Sequence, residues 1–167
     1  MSIAAAEEEV LMMCSFRVGA GLFGIDTRQI REVLGAVASQ SVPLAPPYID
    51  GVVAYRGEVL ATLSLRVLLG MEQRTEEGCV LVLDHEQNEE RFGLVVDDID
   101  GVVLIRASEF EANPSTLDER SMDLFDGTCR TGHGLMVRLD PLRLRPSLLA
   151  TSGLFGHSRC GCAESLR

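Results

Sequence analysis

The sequence carries the same short motif twice, and this internal repeat restricts the possible folds more than any other feature. A phenylalanine-glycine-aliphatic triplet at residues 23–25 recurs 69 residues later, at 92–94. Each triplet is followed at the same spacings by two aliphatic residues, namely Ile30 and Val33 in the first copy and Ile99 and Val102 in the second. A repeated motif of this kind predicts two segments with the same local structure.

A second block of motifs repeats in the same order, now at an offset of 76 residues. Ile49-Asp50-Gly51 matches Phe125-Asp126-Gly127, and Leu63-Ser64 matches Leu139-Asp140. We assign the growth of the offset to a polar insertion at residues 108–120. Two blocks in one order indicate a duplication. We therefore expect two similar subdomains, 11–70 and 79–150, within one domain at 11–150.

Short apolar runs dominate this domain, and they are separated by glycine, asparagine or acidic residues. The runs lie at residues 11–18, 51–55, 59–63, 79–83, 91–96, 101–105 and 135–139. Their length and β-branched content favour strands. Residues 26–34, 65–69 and 142–149 are the candidates for short helices. The predicted fold class is all-β with short helical inserts.

The charge of the chain limits its partners. The formal net charge is −10 and the pI about 4.7, and all fifteen basic side chains are arginines. This balance argues against a nucleic-acid groove and against an anionic membrane surface. Residues 1–10 lack a signal-peptide pattern, and no run of about 18 apolar residues occurs. We expect a soluble cytoplasmic protein with no inserted segment and with reduced cysteines.

A glycine-rich stretch at residues 19–24 has the spacing of a dinucleotide-binding motif. That motif requires an acidic residue about 20 positions further on. Here no acidic residue lies between Glu32 and Asp50, and three prolines lie at 40–47. Gly19 and Gly21 equally suit a tight turn between antiparallel strands. A nucleotide-dependent enzyme remains the third hypothesis.

Two other clusters contain residue types that are common in chemical sites. Asp97-Asp98 ends an apolar run, as the acidic pair of a phosphoacceptor receiver does, but the chain has no lysine, so we interpret the pair as a solvated turn. His157, Cys160 and Cys162 are metal-ligand types at a spacing that matches no common structural site. We expect a flexible tail at 151–167, a flexible start at 1–10, and no metal, cofactor or catalytic residue.

The hairpin-like stretch at residues 51–66 resembles the hallmark of CheW-like domains, which reads roughly G-V-x-N-L-R-G-x-[IV]-[IV]-P-[IV]-x-D-L-R. Residues 23–26 and 92–97 also resemble segments of that family, and the similarity runs in order from about residue 14 to 149. The resemblance implies two intertwined five-stranded SH3-like barrels. It also implies a non-enzymatic adaptor that couples chemoreceptors to a CheA-type histidine kinase.

Matching positions in the family's motifs imply contacts with three classes of partner: the kinase regulatory domain, the cytoplasmic tip of a chemoreceptor, and other CheW-like domains. The implied residues are Arg56, Gly57, Gly51, Ile30, Glu32, Val33, Val80, Gly93, Ile99 and Val102. Arg56 should project from the end of a rigid hairpin, whereas we expect Arg66 to be solvated. Such an adaptor would be recruited to membrane-associated receptor arrays.

Three positions depart from the hallmark. Ala54-Tyr55 replaces Asn-Leu, Ala61 or Thr62 replaces proline, and Ser64 replaces aspartate. Asparagine, proline and aspartate each fix local backbone, so these changes leave open which receptor and kinase the protein serves. A pilus-motility or surface-sensing system is an alternative to a flagellar one. The competing function is a standalone β-barrel interaction module outside chemosensory signalling.

Overall fold

Ten β-strands and a few short helices make up the protein in the computed structural model, which describes residues 8–73, 76–85, 88–113 and 123–151. The strands are β1 (Val10–Val18), β2 (Gly21–Asp26), β3 (Ile30–Leu34), β4 (Ile49–Tyr55), β5 (Glu58–Ser64), β6 (Cys79–His85), β7 (Asn88–Val96), β8 (Asp98–Arg106), β9 (Phe125–Thr131) and β10 (Gly134–Leu139). The helices are α1 (Leu65–Leu68), α2 (Pro146–Thr151) and three 3-10 turns at Thr27–Gln29, Ala107–Glu109 and Pro141–Leu144. The prediction of an all-β chain with short helical inserts is confirmed.

The strands form two five-stranded sheets with equivalent strand orders. Sheet one has the order β8-β1-β2-β10-β9, and sheet two has the order β3-β6-β7-β5-β4. In each sheet a single parallel pair, β2 with β10 or β7 with β5, joins the antiparallel strands. Each strand has a counterpart five places away in the numbering, and exchanging every strand for its counterpart converts one strand order into the other. The duplication read from the sequence is therefore present in the fold.

Each sheet combines strands from both repeats. Sheet one contains the β1–β2 hairpin of the first repeat with three strands of the second, and sheet two contains the β6–β7 hairpin with three strands of the first. The repeats are thus intertwined, as the family resemblance implies. The subdomain limits of 11–70 and 79–150 remain a prediction, and most of the two terminal segments lies outside the described residues.

The strand registers confirm the first block of the repeat. Phe23 pairs with Phe16 and Phe92 pairs with Leu83, so Leu83 is the structural counterpart of Phe16. Ile30 then pairs with Leu83 as Ile99 pairs with Phe16, and Val33 pairs with Leu81 as Val102 pairs with Cys14. The counterparts of Ile30 and Val33 are therefore Ile99 and Val102, at the offset of 69 found in the sequence.

In both sheets the segment that follows one edge strand forms an isolated bridge with the other edge strand. In sheet two, Gln40 exchanges two backbone hydrogen bonds with Val52, at 2.8 and 2.9 Å. In sheet one, Glu111 exchanges two with Thr128, at 2.8 and 2.9 Å. These contacts give each sheet the form of an open SH3-like barrel, in agreement with the predicted architecture.

A repeated glycine makes these bridges possible. A Cβ atom on Gly51 would lie 2.5 Å from the carbonyl oxygen of Gln40, and one on Gly127 would lie 2.9 Å from that of Glu111. Any side chain at these positions would displace the crossing segment. The glycine of the Asp-Gly pair common to the two repeats therefore has a structural cause.

The hydrophobic core has three parts. Each barrel encloses a small cluster, represented by Met13 and Met136 in sheet one and by Val53 and Leu60 in sheet two. A larger cluster, which includes Phe16, Phe23, Leu63, Leu94 and Phe125, draws buried side chains from both sheets. This shared core joins the barrels into one unit.

The helix predicted at residues 26–34 is wrong. The segment begins with a 3-10 turn that Asp26 caps and continues as β3, which is paired with β6. Pairing along β6 satisfies the backbone of this segment and outweighs its weak helical pattern. The predicted tight turn at Gly19 is confirmed, because Val18 pairs with Gly21 across a two-residue loop.

Candidate partner-binding surface

Arg56 and Gly57 form the two-residue turn between β4 and β5. Both have positive φ angles, 47° and 79°, which is the geometry of a type I′ hairpin turn. Glycine adopts such angles readily, whereas a side chain such as that of arginine is strained by about 1 kcal/mol. The sequence thus places a long cation at a position where local backbone energy favours glycine or asparagine.

Three side chains meet beside this turn. The Tyr55 hydroxyl donates a hydrogen bond of 2.6 Å to Oε2 of Glu32, and Nη2 of Arg56 lies 3.2 Å from the same oxygen. The Arg56 guanidinium also lies 5.5 Å from the centre of the Tyr55 ring. Glu32 belongs to β3 and Tyr55 to β4, so the three residues connect the two edge strands of sheet two.

Burial differs sharply among these three residues. The Tyr55 side chain fills the interior of the second barrel and is only 4% exposed. The Arg56 side chain is 66% exposed and that of Glu32 is 37% exposed. A tyrosine buried in this way requires a partner for its hydroxyl. The buried Tyr55 therefore holds Glu32 in place from the barrel interior. Glu32 in turn restrains the Arg56 guanidinium, which remains exposed to solvent.

The hydrogen bond from Tyr55 is the main reason why the pKa of Glu32 is lowered, and the charges of Arg56 and Arg31 lower it further. Arg31 lies next to this group and donates to Asp84 at 2.9 Å. Hydrogen bonds to Asp84 and to Tyr55 raise the pKa of Arg31. The turn is therefore embedded in a polar network that keeps Glu32 ionised at neutral pH.

Besides Glu32, four of the predicted partner residues lie on β3 and β8. Ile30 and Ile99 are half-buried and pack against the shared core. Val33 is 44% exposed and Val102 is 57% exposed. Val33 lies next to Glu32 in β3, whereas Val102 lies in the other sheet.

Three other predicted partner residues are buried. Gly51 approaches the crossing carbonyl described above, and its own carbonyl accepts a hydrogen bond from Thr62. Val80 and Gly93 are neighbours in sheet two, where a Cβ atom on Gly93 would lie 2.7 Å from Cγ1 of Val80. The structure gives these three residues internal packing contacts.

The second repeat provides an internal comparison for the turn. By the registers above, Gly101 is the counterpart of Glu32, Thr131 that of Tyr55 and Gly132 that of Arg56. These residues form no equivalent of the ion pair, because none of them is charged. The arginine turn is therefore a specialised feature of one repeat and does not follow from the fold.

Arg66 and Asp97 correct two sequence-based expectations. Nε and Nη2 of Arg66 each lie 2.7 Å from a different oxygen of Asp97, and the backbone N–H of Gly19 donates to the same carboxylate at 2.7 Å. The two side chains are 22% and 12% exposed. Arg66 is therefore not solvated, and Asp97 is not part of a solvated turn: together they connect the β1–β2 turn, α1 and the end of β7.

The model of the CheW-like domain family matches residues 12–147. The chain belongs to the CheW-like family. Its curated relatives include the chemotaxis protein CheW of Treponema pallidum, 22% identical over 81% of this chain and 82% of the relative, and that of Helicobacter pylori, 28% identical over 68% and 69%. The crystal structure of the scaffolding protein TtCheW from Thermoanaerobacter tengcongensis has the same fold, with a TM-score of 0.70, 19% identity, and coverage of 79% and 90%.

The CheW-like family is an adaptor family, which agrees with the expectation of a non-enzymatic protein. No helix within the described parts of the chain is both long and apolar enough to cross a membrane. His157, Cys160 and Cys162, for which we expect no metal, lie outside those residues. Tyr55 and Asp97 are the two residues whose roles the sequence reasoning missed. For Tyr55, the alternation with Val53 that directs both side chains into the barrel was the available signal.

Proposed function

We propose that this protein is a chemotaxis coupling adaptor that joins chemoreceptors to a CheA-type histidine kinase in a membrane-associated array. Membership of the CheW-like family over residues 12–147 supports this role. The two described relatives are both named chemotaxis protein CheW. Its partners are the cytoplasmic tip of a receptor, the regulatory domain of the kinase, and other CheW-like domains.

The observation that carries the proposal is the exposed Arg56 guanidinium on a restrained turn. A hairpin of two residues cannot bend freely, and Glu32 limits the rotamers of Arg56, so binding costs less side-chain entropy than for a free arginine. The guanidinium keeps donors available for a partner carboxylate, because the ion pair uses Nη2. Arg56, Gly57 and Glu32 with the adjacent Val33 form the proposed contact surface.

The other predicted contact residues divide by burial. Val102 is exposed and remains a candidate for a contact on the first barrel, whereas Ile99 in the same strand packs against the shared core. Gly51, Val80 and Gly93 act on partners only by shaping the barrel that carries β3 and the turn. Substitutions at these three positions would therefore change the surface indirectly.

The test is a reconstitution of receptor, kinase and adaptor, read as kinase autophosphorylation. Arg56→Glu removes the donors and adds repulsion towards both Glu32 and a partner carboxylate. Arginine hot spots lose about 2 kcal/mol on truncation, roughly a thirtyfold loss of affinity. We expect Arg56→Glu to abolish receptor-dependent activation of the kinase while circular dichroism shows a folded protein.

Arg130→Glu is the matched control. Arg130 is an exposed arginine in the β9–β10 hairpin, the counterpart of the Arg56 hairpin in the second repeat. It should activate the kinase as the unmodified protein does. Full activation by folded Arg56→Glu would contradict the assigned surface. Failure of the unmodified protein to bind either component would favour an interaction module outside chemosensory signalling.

A further inference from the structure

Leu44 has a conformation that leucine rarely adopts. The backbone N–H of Ala45 donates to the carbonyl of Val42 at 3.4 Å, and Pro43 and Leu44 are the central residues of this turn. Leu44 has a φ angle of 63°. Proline is restricted to negative φ, so this is a type II turn, whose third position favours glycine or asparagine. The leucine side chain at this strained position is fully exposed.

The loop that carries Leu44 is fixed at both ends. On one side Gln40 is bonded to Val52 by the pair of hydrogen bonds that links the barrel edges. On the other side the Tyr48 carbonyl accepts a hydrogen bond of 2.8 Å from Ser64, and the Tyr48 side chain is buried. Three prolines lie within the loop and restrict it further. Leu44 is therefore presented on a rigid support.

The loop segment that carries Leu44 is uncharged. Residues 35–47 contain no aspartate, glutamate, arginine or lysine, although 24% of the whole chain is charged. Val42, two residues before Leu44, is also exposed, at 39%. Depletion of charge around an apolar centre is the composition of the buried part of a protein interface. A strained, exposed leucine in an uncharged segment is suited to an external contact.

We propose that Leu44 is an anchor that inserts into an uncharged apolar pocket on a protein partner, and that this partner is not the one bound by Arg56. The inference rests on the adaptor role proposed above. An adaptor must hold two partners at once, and the two surfaces have different chemistry, one cationic and one uncharged. A folded protein is favoured over a lipid bilayer because the loop has no basic residue and the chain carries a net charge of −10.

Leu44→Ser tests the anchor, and Leu135→Ser is its control. Leu135 is also an exposed leucine, 54% accessible, but lies in β10 and outside both surfaces. Binding of each variant to purified kinase, to receptor in vesicles and to receptor-free vesicles is measured separately. We expect Leu44→Ser to weaken one protein interaction about tenfold. It should retain the interaction that Arg56→Glu loses, and Leu135→Ser should retain both.

Leu44→Gly separates the docking role from a structural one. Glycine relieves the backbone strain, so its thermal midpoint should equal or exceed that of the unmodified protein, with the same loss of binding as Leu44→Ser. A lower midpoint would show that Leu44 packs within the protein and would overturn the proposal.

Three further results would overturn the proposal while leaving the adaptor role intact. The first is unchanged binding of both partners by Leu44→Ser, and the second is loss of the same partner by Leu44→Ser and Arg56→Glu. The third is Leu44-dependent binding to receptor-free vesicles, which would indicate a membrane contact. If the unmodified protein binds neither receptor nor kinase, the adaptor role and this inference fail together.

Discussion

Replacing Asp97 by alanine removes one carboxylate that holds three separate parts of the chain. The change leaves the Arg66 guanidinium without its two-point partner and the Gly19 N–H without its acceptor, all of them at 2.7 Å in the intact protein. Hydrogen bonds to charged groups contribute about 1.5–3 kcal/mol each. Loss of one partner of a buried ion pair costs about 3–5 kcal/mol.

The cost of losing Asp97 should lie near the lower end of the range for buried ion pairs. The Arg66 side chain is 22% exposed, so water can solvate part of the guanidinium once the carboxylate is gone. We therefore expect Asp97→Ala to lower the free energy of unfolding by about 3 kcal/mol. For a domain of this size, each kcal/mol shifts the thermal midpoint by about 2–4 °C. The expected decrease is about 6–12 °C.

Thermal and urea denaturation followed by circular dichroism measure this effect. The control is Asp98→Asn, because Asp98 is the adjacent acidic residue and is exposed; its midpoint should change by less than about 2 °C. Adding Arg66→Ala to Asp97→Ala should cost less than Arg66→Ala alone, since the pair is already broken. A decrease of under 2 °C for Asp97→Ala, or strictly additive effects, would refute the reasoning.

Two other predictions concern the second barrel. Gly51→Ala places a Cβ atom 2.5 Å from a backbone carbonyl oxygen and should lower the free energy of unfolding by about 1–3 kcal/mol. Gly35→Ala is the control, because Gly35 has open space around it, and it should be nearly neutral in the same denaturation assay. The lowered pKa of Glu32 means that its contribution to stability is complete above the unfolded pKa of about 4.3 and is lost as the pH falls through the folded value. Tyr55→Phe removes the main cause, so an NMR titration of the Glu32 carboxyl should show its midpoint move upwards; an unchanged midpoint would contradict the hydrogen-bond account.

Patterns within a few residues predicted much of this fold. The apolar runs identified β1, β4, β5 and β6, and the Arg-Gly pair marked the hairpin turn. Strand β3 was missed because its own residues favour a helix weakly, and only its pairing with β6 makes it extended. The duplication was visible because glycines such as Gly51 recur where backbones cross.

The candidate surface was predictable only in part. Arg56 was identified from its place in the hallmark, but its restraint by Glu32 depends on a contact between residues 24 positions apart. The partnership of Arg66 with Asp97, 31 positions apart, likewise forms only when α1 meets the end of β7. Such contacts arise from the curvature of the sheets, which local sequence patterns do not contain.

The exchange of hairpins between repeats has a consequence for biosynthesis. When a ribosome has synthesised only the first repeat, β1 lacks β8, β2 lacks β10, and β3 and β5 lack β6 and β7. Neither sheet can then be assembled, so the emerging half exposes unpaired strand edges that favour aggregation. Sheet two can form once β7 has emerged, whereas the first hairpin to be made must wait for β10, the last strand in the described part of the chain.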